Sequence, residues 1–339
     1  MAPAIQNGNG CKDNIASLKS GYTQVIHDFL QDVSFQIPDR IYDHSLVGYV
    51  EDHLMSEGFS ADFVEKAYPF ICGGATAAVV FYPFTTIEVQ RTVAIFTSYA
   101  IILEESAARI KADMRSFSHN LVTGRQQKTK ILRCLTKWLR SAPGIFGPFA
   151  GSMMIKEAIE YTTAFVVEED IAVPDKAPGF PQYFRLKTGG PESWAFFSFP
   201  ENLYPEDKML RVYLPSIPAL VQFINYGNDL FSFYKEAIDG DYHNCVYTFA
   251  RTHNMTTLQA LHHYSMTVKK AVQEVRDILS REPQMKDHLD QFMQGYIFWH
   301  LAMPRYRLDE LNILQVKKAK ERLFSDRGER VISPLPGNE

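Results

Sequence analysis

The chain has 339 residues, a length that suits one large helical domain or two smaller domains. Its formal net charge is −4, which argues against a nucleic-acid-binding protein, because such proteins usually carry a strongly basic face. Its four cysteines lie far apart and form no CxxC pair, so a disulfide scaffold is excluded and a reducing, cytoplasmic environment is expected.

The two ends of the chain are expected to lack regular structure. Residues 1–20 are predicted to form a disordered tail, because residues 1–14 are polar and lack the apolar run of a signal peptide. Residues 325–339 contain two prolines and are predicted to fray. The longest apolar stretches, such as 93–103, are too short to span a bilayer, so no membrane partner is expected.

Between these ends, residues 21–324 are predicted to form one α-helical domain. No alternating pattern indicates a strand, and the prolines of segment 168–180 predict a connector. Segment 218–233 is apolar nearly all round, which indicates a helix inside a bundle. The expected fold class is therefore all-α, a helical bundle around a central cavity. Apolar residues recur at spacings of three and four, the helical period, in segments 62–70, 87–115, 128–138, 152–165, 218–237, 257–280 and 285–302.

Three polar residues interrupt the inner helix. Asn228, Ser232 and Glu236 are spaced by four, so at about 100° per residue they share one face. Their amide, hydroxyl and carboxylate oxygens are hard donors of the kind that Mg²⁺ prefers, and Lys235 beside them could neutralise a phosphate. The same pattern also fits a polar stripe on a solvated helix face, in which case no metal would bind.

Residues 228–236 resemble the second metal motif of class I terpene cyclases, in the form found in the fungal trichodiene-synthase-like sesquiterpene cyclases. Two further segments agree with that family in order and spacing. Residues 295–308 resemble its C-terminal Trp-His and Arg-Tyr motif. Residues 181–189 resemble the segment that carries its diphosphate-sensing arginine, here Arg185.

The resemblance implies a reaction and a set of ligands. Three Mg²⁺ ions and farnesyl diphosphate would bind in the cavity, and Asn228, Ser232 and Glu236 would hold one of the ions. Ionisation would release diphosphate, and the carbocation would close to a cyclic sesquiterpene, with a humulene-type 1,11 closure as the product hypothesis. A dimer is common in the family, and the oligomeric state of this chain is left open, with a homodimer as one candidate. The donors implied for the diphosphate are Arg185, Lys235, Arg305 and Tyr306.

The upstream metal motif departs from the family pattern. The family places an Asp-rich motif at the end of an upstream helix, but here the matching place holds Glu104 and Glu105, with Ala108 at the last acidic position. A glutamate carboxylate reaches about 1.5 Å further than that of aspartate, and Mg²⁺ tolerates little error in ligand position. Both residues are predicted metal ligands. Alternatively Glu105 pairs with Arg305 or Arg109, or the two acids only end a helix in water.

Aromatic residues are predicted to line the cavity, because their faces stabilise a passing carbocation. Phe96 and Tyr99 precede Glu104 on one helix, and Trp299 precedes Arg305, so each is expected near the metal end. Further candidates are Phe81, Tyr82 and Phe84. The loop after the metal helix is expected at the cavity mouth, with Asp239, Asp241 and His243.

Other interpretations stay open for parts of the pattern. A chain-elongating prenyltransferase usually needs two Asp-rich motifs, and the sequence has neither. A non-catalytic isoprenoid-binding protein would follow if the altered upstream motif no longer held metal. Arg305 could also form only a surface ion pair with Asp309 or Glu310.

Overall fold

Every regular element in the described part of the chain is a helix, so the predicted all-α fold is confirmed. The computed structural model describes residues 15–38, 45–168 and 170–324. The helices in chain order are α1 (Ile15–Asp32), α2 (Ser45–Ser56), α3 (Ala61–Phe81), α4 (Ile87–Thr123), α5 (Lys130–Ser141), α6 (Pro143–Phe146), α7 (Pro148–Glu168), α8 (Phe180–Thr188), α9 (Pro191–Phe196), α10 (Glu206–Tyr213), α11 (Ile217–Ile238), α12 (Cys245–Thr252), α13 (Thr257–Ile278), α14 (Pro283–Ala302) and α15 (Leu314–Phe324), with 3₁₀ turns at Leu214–Ser216, Pro304–Tyr306 and Leu308–Leu311.

The first helix corrects one predicted boundary. α1 begins at Ile15, so the end of the predicted tail 1–20 is helical rather than disordered. The reason is packing, because Leu18 and Tyr22 are buried in the core one turn apart. The Tyr22 hydroxyl also donates to the backbone oxygen of Leu230 on α11 at 2.7 Å, which ties α1 to the central helix.

The remaining boundary predictions have different outcomes. The predicted connector 168–180 is confirmed in position, since α7 ends at Glu168 and α8 begins at Phe180. Residues 1–14 and 325–339 lie outside the described residues, so the two disordered tails stay predictions. None of the described helices combines the length and the hydropathy needed to cross a bilayer.

Close packing against α3 positions two of the helices that carry polar residues. A Cβ at Gly74 would lie 2.2 Å from Oγ of Ser98 on α4, and a Cβ at Gly295 would lie 1.8 Å from the backbone oxygen of Val80. Neither approach leaves space for a side chain, so glycine at these two places lets α4 and α14 pack directly on α3. The two helices thereby face one cavity.

The predicted inner helix is α11. Most of its residues are buried, including polar Asn225, Asp229 and Ser232. α11 packs against α13, α9, α14 and α1, so protein surrounds it on several sides. Buried polar groups need partners, so the buried polar residues of α11 are candidates for a binding site.

A buried carboxylate on α7 fixes the turn between α8 and α9. Glu157 is 3% exposed and accepts hydrogen bonds from the backbone N–H groups of Glu192 and Ser193, at 2.5 and 2.6 Å. These donors lie in the first turn of α9. Gly190 is the N-cap of this helix and has a φ of 58°. Burial raises the pKa of Glu157 to about 7, although its hydrogen bonds partly counter the rise.

Replacing Glu157 by Gln is expected to change how stability depends on pH. Below the ordinary pKa of 4.5 the carboxyl group is protonated in both states. As pH rises towards 7 the unfolded chain loses this proton while the folded protein keeps it, so Glu157 contributes less stability at higher pH. The Gln variant should gain about 2 kcal/mol relative to wild type between pH 5 and 8.

Urea unfolding of both proteins at pH 5, 6.5 and 8 measures this difference. A difference that stays constant over that range would show that the folded-state pKa of Glu157 is not raised.

Candidate active site

A cavity of about 550 Å³ opens between α4, α7, α8, α11 and α14. On α4 the lining residues Thr97, Ile101 and Glu104 are spaced by four and three, so one face of that helix forms the wall. The lining residues of α11 are Ile224, Asn225, Asn228, Asp229 and Glu236, and those of α14 and the following turn are Tyr296, Trp299, His300, Arg305 and Tyr306.

The polar stripe of α11 faces this cavity. Asn228 and Glu236 line it, and Ser232, which is 5% exposed, lies between them on the same face. The alternative of a solvated helix face is therefore wrong for this stripe. Oγ of Ser232 is buried and makes no hydrogen bond with good geometry, so one oxygen of the stripe is left for another partner.

Glu236, the acidic residue of the stripe, lies in a buried position where its negative charge is unfavourable. Burial raises the pKa of Glu236 to about 7, and the nearby Ser232 hydroxyl only partly counters this. A cation beside the carboxylate would reverse that effect. Three hard oxygen donors on one face of α11 fit Mg²⁺.

Arg185 of α8 reaches across to the stripe. Its Nε donates to Oδ1 of Asp229 at 2.7 Å, and its Nη2 donates to Oδ1 of Asn228 at 2.9 Å. Burial alone would lower the pKa of Arg185, but the Asp229 carboxylate and other acids raise it, so the guanidinium stays charged. The structure thus brings the predicted diphosphate-sensing arginine to the cavity. No role was predicted for Asp229, although a charged residue within an apolar helical segment is a signal that could have indicated one.

Arg305 and Tyr306 enter the cavity from the turn after α14. Nη2 of Arg305 lies 3.2 Å from Oε1 of Glu104 and 3.7 Å from Oε1 of Glu105. Glu104 lines the cavity and Glu105 does not. The predicted pairing of Arg305 with Glu105 is thus present as the longer of two contacts.

The alternative partners proposed for Arg305 are engaged elsewhere. Glu310 accepts from Arg307 at 2.8 Å and from the Tyr234 hydroxyl at 2.9 Å. Asp309 accepts from Lys320 at 2.8 Å. The alternative in which Arg305 only forms a surface ion pair with these acids is therefore wrong.

Lys235, unlike the other predicted diphosphate donors, does not lie at the cavity. It is half-buried, and it does not line the cavity with Glu236. The physical reason is that adjacent residues on a helix differ by about 100° in direction. Its predicted contact with diphosphate stays a prediction that requires the long side chain to bend towards the cavity.

The predicted aromatic wall needs correction at two residues. Phe96 and Tyr99 do not line the cavity, whereas Trp299 does. Phe96 packs against the rings of Trp138 and Phe197, at centroid distances of 4.5 and 5.2 Å.

Tyr99 points to the opposite side of α4. Its hydroxyl lies 2.6 Å from Nε2 of His53 on α2. Both errors have one cause, because residues 96 and 99 lie about 100° and 160° away from the face that carries Thr97.

Other aromatic residues complete the wall. Of the further candidates, Phe81 lines the cavity and the pair Tyr82 and Phe84 does not. Sequence reasoning missed Tyr161, Phe165 and Trp194, which come from α7 and α9. Their spacing indicates only a helix face, since nothing local says which face meets the cavity. Nε1 of Trp194 donates to Oγ1 of Thr97 at 3.2 Å, which holds that ring against α4.

The loop after α11 lies at the cavity, and the prediction is right for two of the three residues named from it. Asp241 and His243 line the cavity, and they are followed by Asn244 and Cys245 at the start of α12. Asp239 instead lies 3.6 Å from Nη1 of Arg307 and is directed away from the lining.

The sequence matches a known family over most of its length. The family model of trichodiene synthase matches residues 73–332. An (E)-β-farnesene synthase of Metarhizium brunneum is 35% identical over 312 residues, which cover 91% of this chain and 94% of the relative. Longiborneol synthase of Gibberella zeae is 26% identical over 294 residues, covering 84% of this chain and 86% of that enzyme.

Solved structures agree on the fold. Linalool/nerolidol synthase from Streptomyces clavuligerus superposes with a TM-score of 0.60 at 14% identity, covering 78% of this chain and 97% of that one. A point variant of cucumene synthase gives a TM-score of 0.53 at 16% identity, covering 78% of this chain and 99% of that one. The chain therefore belongs to the trichodiene synthase family and is a terpene synthase with the class I fold, a lyase that acts on a prenyl diphosphate.

Proposed function

We propose that this enzyme is a Mg²⁺-dependent sesquiterpene synthase that ionises farnesyl diphosphate and closes the carbocation to a cyclic hydrocarbon. One observation carries the proposal. The oxygen donors of Asn228, Ser232 and Glu236 share one face of α11 beside Arg185, at a cavity that aromatic side chains, a further arginine and a further acid also line. The substrate length is supported by the relatives that are named for the products farnesene and longiborneol.

Asn228, Ser232 and Glu236 would hold one Mg²⁺ ion, and Glu104 would hold metal from the opposite wall. Glu105, which lies outside the lining, would contribute only by a rearrangement of its side chain. Bound Mg²⁺ supplies positive charge that stabilises the leaving diphosphate. The full complement of three ions is part of the proposal.

The residues of the chain then have separate tasks. Arg185 and Arg305 would donate paired N–H groups to diphosphate oxygens, and Tyr306 would donate its hydroxyl. As the allylic C–O bond breaks, its electron pair leaves with the bridging oxygen, so these donors stabilise charge that grows in the transition state. The proton lost from the final cation leaves with the diphosphate.

The wall of the cavity has to stabilise a cation without offering it a nucleophile. The faces of Phe81, Trp194 and Trp299 supply cation–π attraction, worth about 2 kcal/mol when desolvated. Nε1 of Trp299 donates to the backbone oxygen of Gly73 at 3.0 Å, so its polar atom is occupied and its ring is fixed. The wall thus favours carbon–carbon bond formation over capture by water.

The product is a proposal of its own. Closure between C1 and C11 to a humulene-type ring stays the first candidate. An acyclic sesquiterpene is the second, favoured by the relative at 35% identity that is named for (E)-β-farnesene. The cytoplasmic location and the homodimer remain proposals as well.

Incubation of the purified enzyme with farnesyl diphosphate and Mg²⁺, followed by extraction and gas chromatography of volatiles, tests the proposal. A cyclic sesquiterpene formed only with the metal is the expected result, and (E)-β-farnesene would favour the second candidate. Elongation on addition of isopentenyl diphosphate, or unchanged substrate, would contradict both.

A further inference from the structure

The orientation of the Asn228 side chain follows from its partners. An amide oxygen and an amide nitrogen have nearly the same shape, so only hydrogen-bond donors and acceptors distinguish them. A guanidinium group can donate and cannot accept. Because Nη2 of Arg185 lies 2.9 Å from the amide, the atom that faces it is Oδ1.

The nitrogen of the same amide faces His300 on α14. Nδ2 of Asn228 lies 3.3 Å from Nε2 of His300, and an amide NH₂ group only donates, so Nε2 is the acceptor. The other ring nitrogen, Nδ1, lies 2.8 Å from the backbone oxygen of Tyr296, which only accepts. Both ends of the imidazole therefore require the same neutral form, with its proton on Nδ1.

The imidazole has no freedom to turn. His300 is 1% exposed, and ring centroids lie 4.3 Å from it in Tyr296, 4.6 Å in Tyr306 and 5.2 Å in Phe231. The Tyr296 hydroxyl donates to the backbone oxygen of Ile224 at 2.7 Å, which holds α14 against α11. The acceptor that faces Asn228 is thus built into the interface of two helices.

We propose that His300 is a positioning residue that directs the amide oxygen of Asn228 towards the metal position. By accepting from Nδ2, Nε2 makes the flipped amide unfavourable, since a flip would leave Oδ1 and Nε2 as two facing acceptors. A flipped amide would also present NH₂, which has no lone pair to offer, beside Ser232. The inference rests on the proposed function, in which Asn228 binds Mg²⁺.

Two substitutions separate this role from packing. His300→Phe keeps a ring among the surrounding aromatic side chains and removes the acceptor. His300→Gln can place an amide oxygen near the position of Nε2 and so restores an acceptor without a ring. Isothermal titration of Mg²⁺ in the presence of inorganic diphosphate measures binding without turnover.

The Phe variant is expected to bind the metal and diphosphate about 10- to 100-fold more weakly than wild type, and the Gln variant to stay within about 3-fold. Unchanged affinity of the Phe variant, or equal losses in both variants, would overturn the inference. If wild type itself bound no Mg²⁺ with diphosphate, the proposed function would fail, which is a different outcome.

A measurement on the unmodified, metal-free protein keeps the inference testable if a variant does not fold. Long-range ¹H–¹⁵N spectra of protein labelled on histidine report which ring nitrogen carries the proton. His300 is assigned by the signal that disappears in His300→Gln, or by its proximity to the rings of Tyr296 and Tyr306. A proton on Nδ1 is expected, and a proton on Nε2 would overturn the inference.

Discussion

Glu236→Gln is expected to lower kcat/KM for farnesyl diphosphate by about 10³-fold. Glutamine keeps the size of the side chain and removes the one formal negative charge among the three donors of the stripe. Loss of a single preorganised electrostatic contact typically lowers turnover by about 10²–10³-fold, and this contact holds the cation that faces the leaving group. Steady-state assays at saturating Mg²⁺ measure the effect.

The stability of the same variant separates function from folding. Because burial raises the pKa of Glu236 to about 7, its charge destabilises the metal-free protein at pH 8. The neutral Gln variant should therefore have a Tm at pH 8 that is equal to or higher than that of wild type. A lower Tm together with the lost turnover would point to misfolding instead.

A matched control is available on the surface. Glu321 on α15 has an exposed side chain that lies 3.9 Å from Lys317, and such pairs contribute little. Glu321→Gln should leave turnover unchanged. If Glu236→Gln kept more than a tenth of wild-type activity, Glu236 would not be a metal ligand.

The stripe on α11 could be predicted from the sequence because it depends only on local geometry. Asn228, Ser232 and Glu236 lie within one helix, so their common face follows from the helical period. The burial of that face could also be predicted, because the surrounding apolar residues indicate a helix inside the bundle. The resemblance then located Arg185 and Arg305, whose contacts depend on distant segments.

The aromatic wall could not be predicted in the same way. Phe96, Tyr99 and Thr97 lie on one helix, and the helical period does not say which of them meets the cavity. That choice is set by packing, because Gly74 brings α4 onto α3 and the Tyr99 hydroxyl contacts His53 on the far side of α4. Trp194 depends on the turn that Glu157 caps, which is a tertiary contact.

The two arginines of the cavity form ion pairs with the acids nearest to them. Arg185 is held by Asp229, and Arg305 lies between Glu104 and Glu105. A bound diphosphate would have to compete with these carboxylates for the arginines. Glu104 therefore has two opposing effects, because it would bind metal and it would also compete with the substrate for Arg305.

Magnitudes decide between these effects. The side chains of Arg305 and Glu104 are 22% and 47% exposed, so their ion pair contributes at most about 1 kcal/mol, a factor of about 5 in affinity. Loss of a metal ligand at the reacting group lowers turnover by about 10²-fold, or about 2.7 kcal/mol. The loss of the ligand therefore outweighs the release of Arg305.

Glu104→Gln is accordingly expected to lower kcat/KM by about 10²-fold at saturating Mg²⁺, and to raise the Mg²⁺ concentration needed for half-maximal rate. Glu105→Gln is the matched comparison, since it has the same chemistry one residue outside the cavity lining. Because the substitution only frees Arg305 from an exposed ion pair, it should change kcat/KM by less than about 5-fold and in the direction of an increase. Equal losses in the two variants would mean that the position of Glu104 in the cavity lining gives it no role as a metal ligand that Glu105 lacks. A larger loss in Glu105→Gln would mean that α4 turns when metal binds, so that the residue now outside the cavity becomes the ligand.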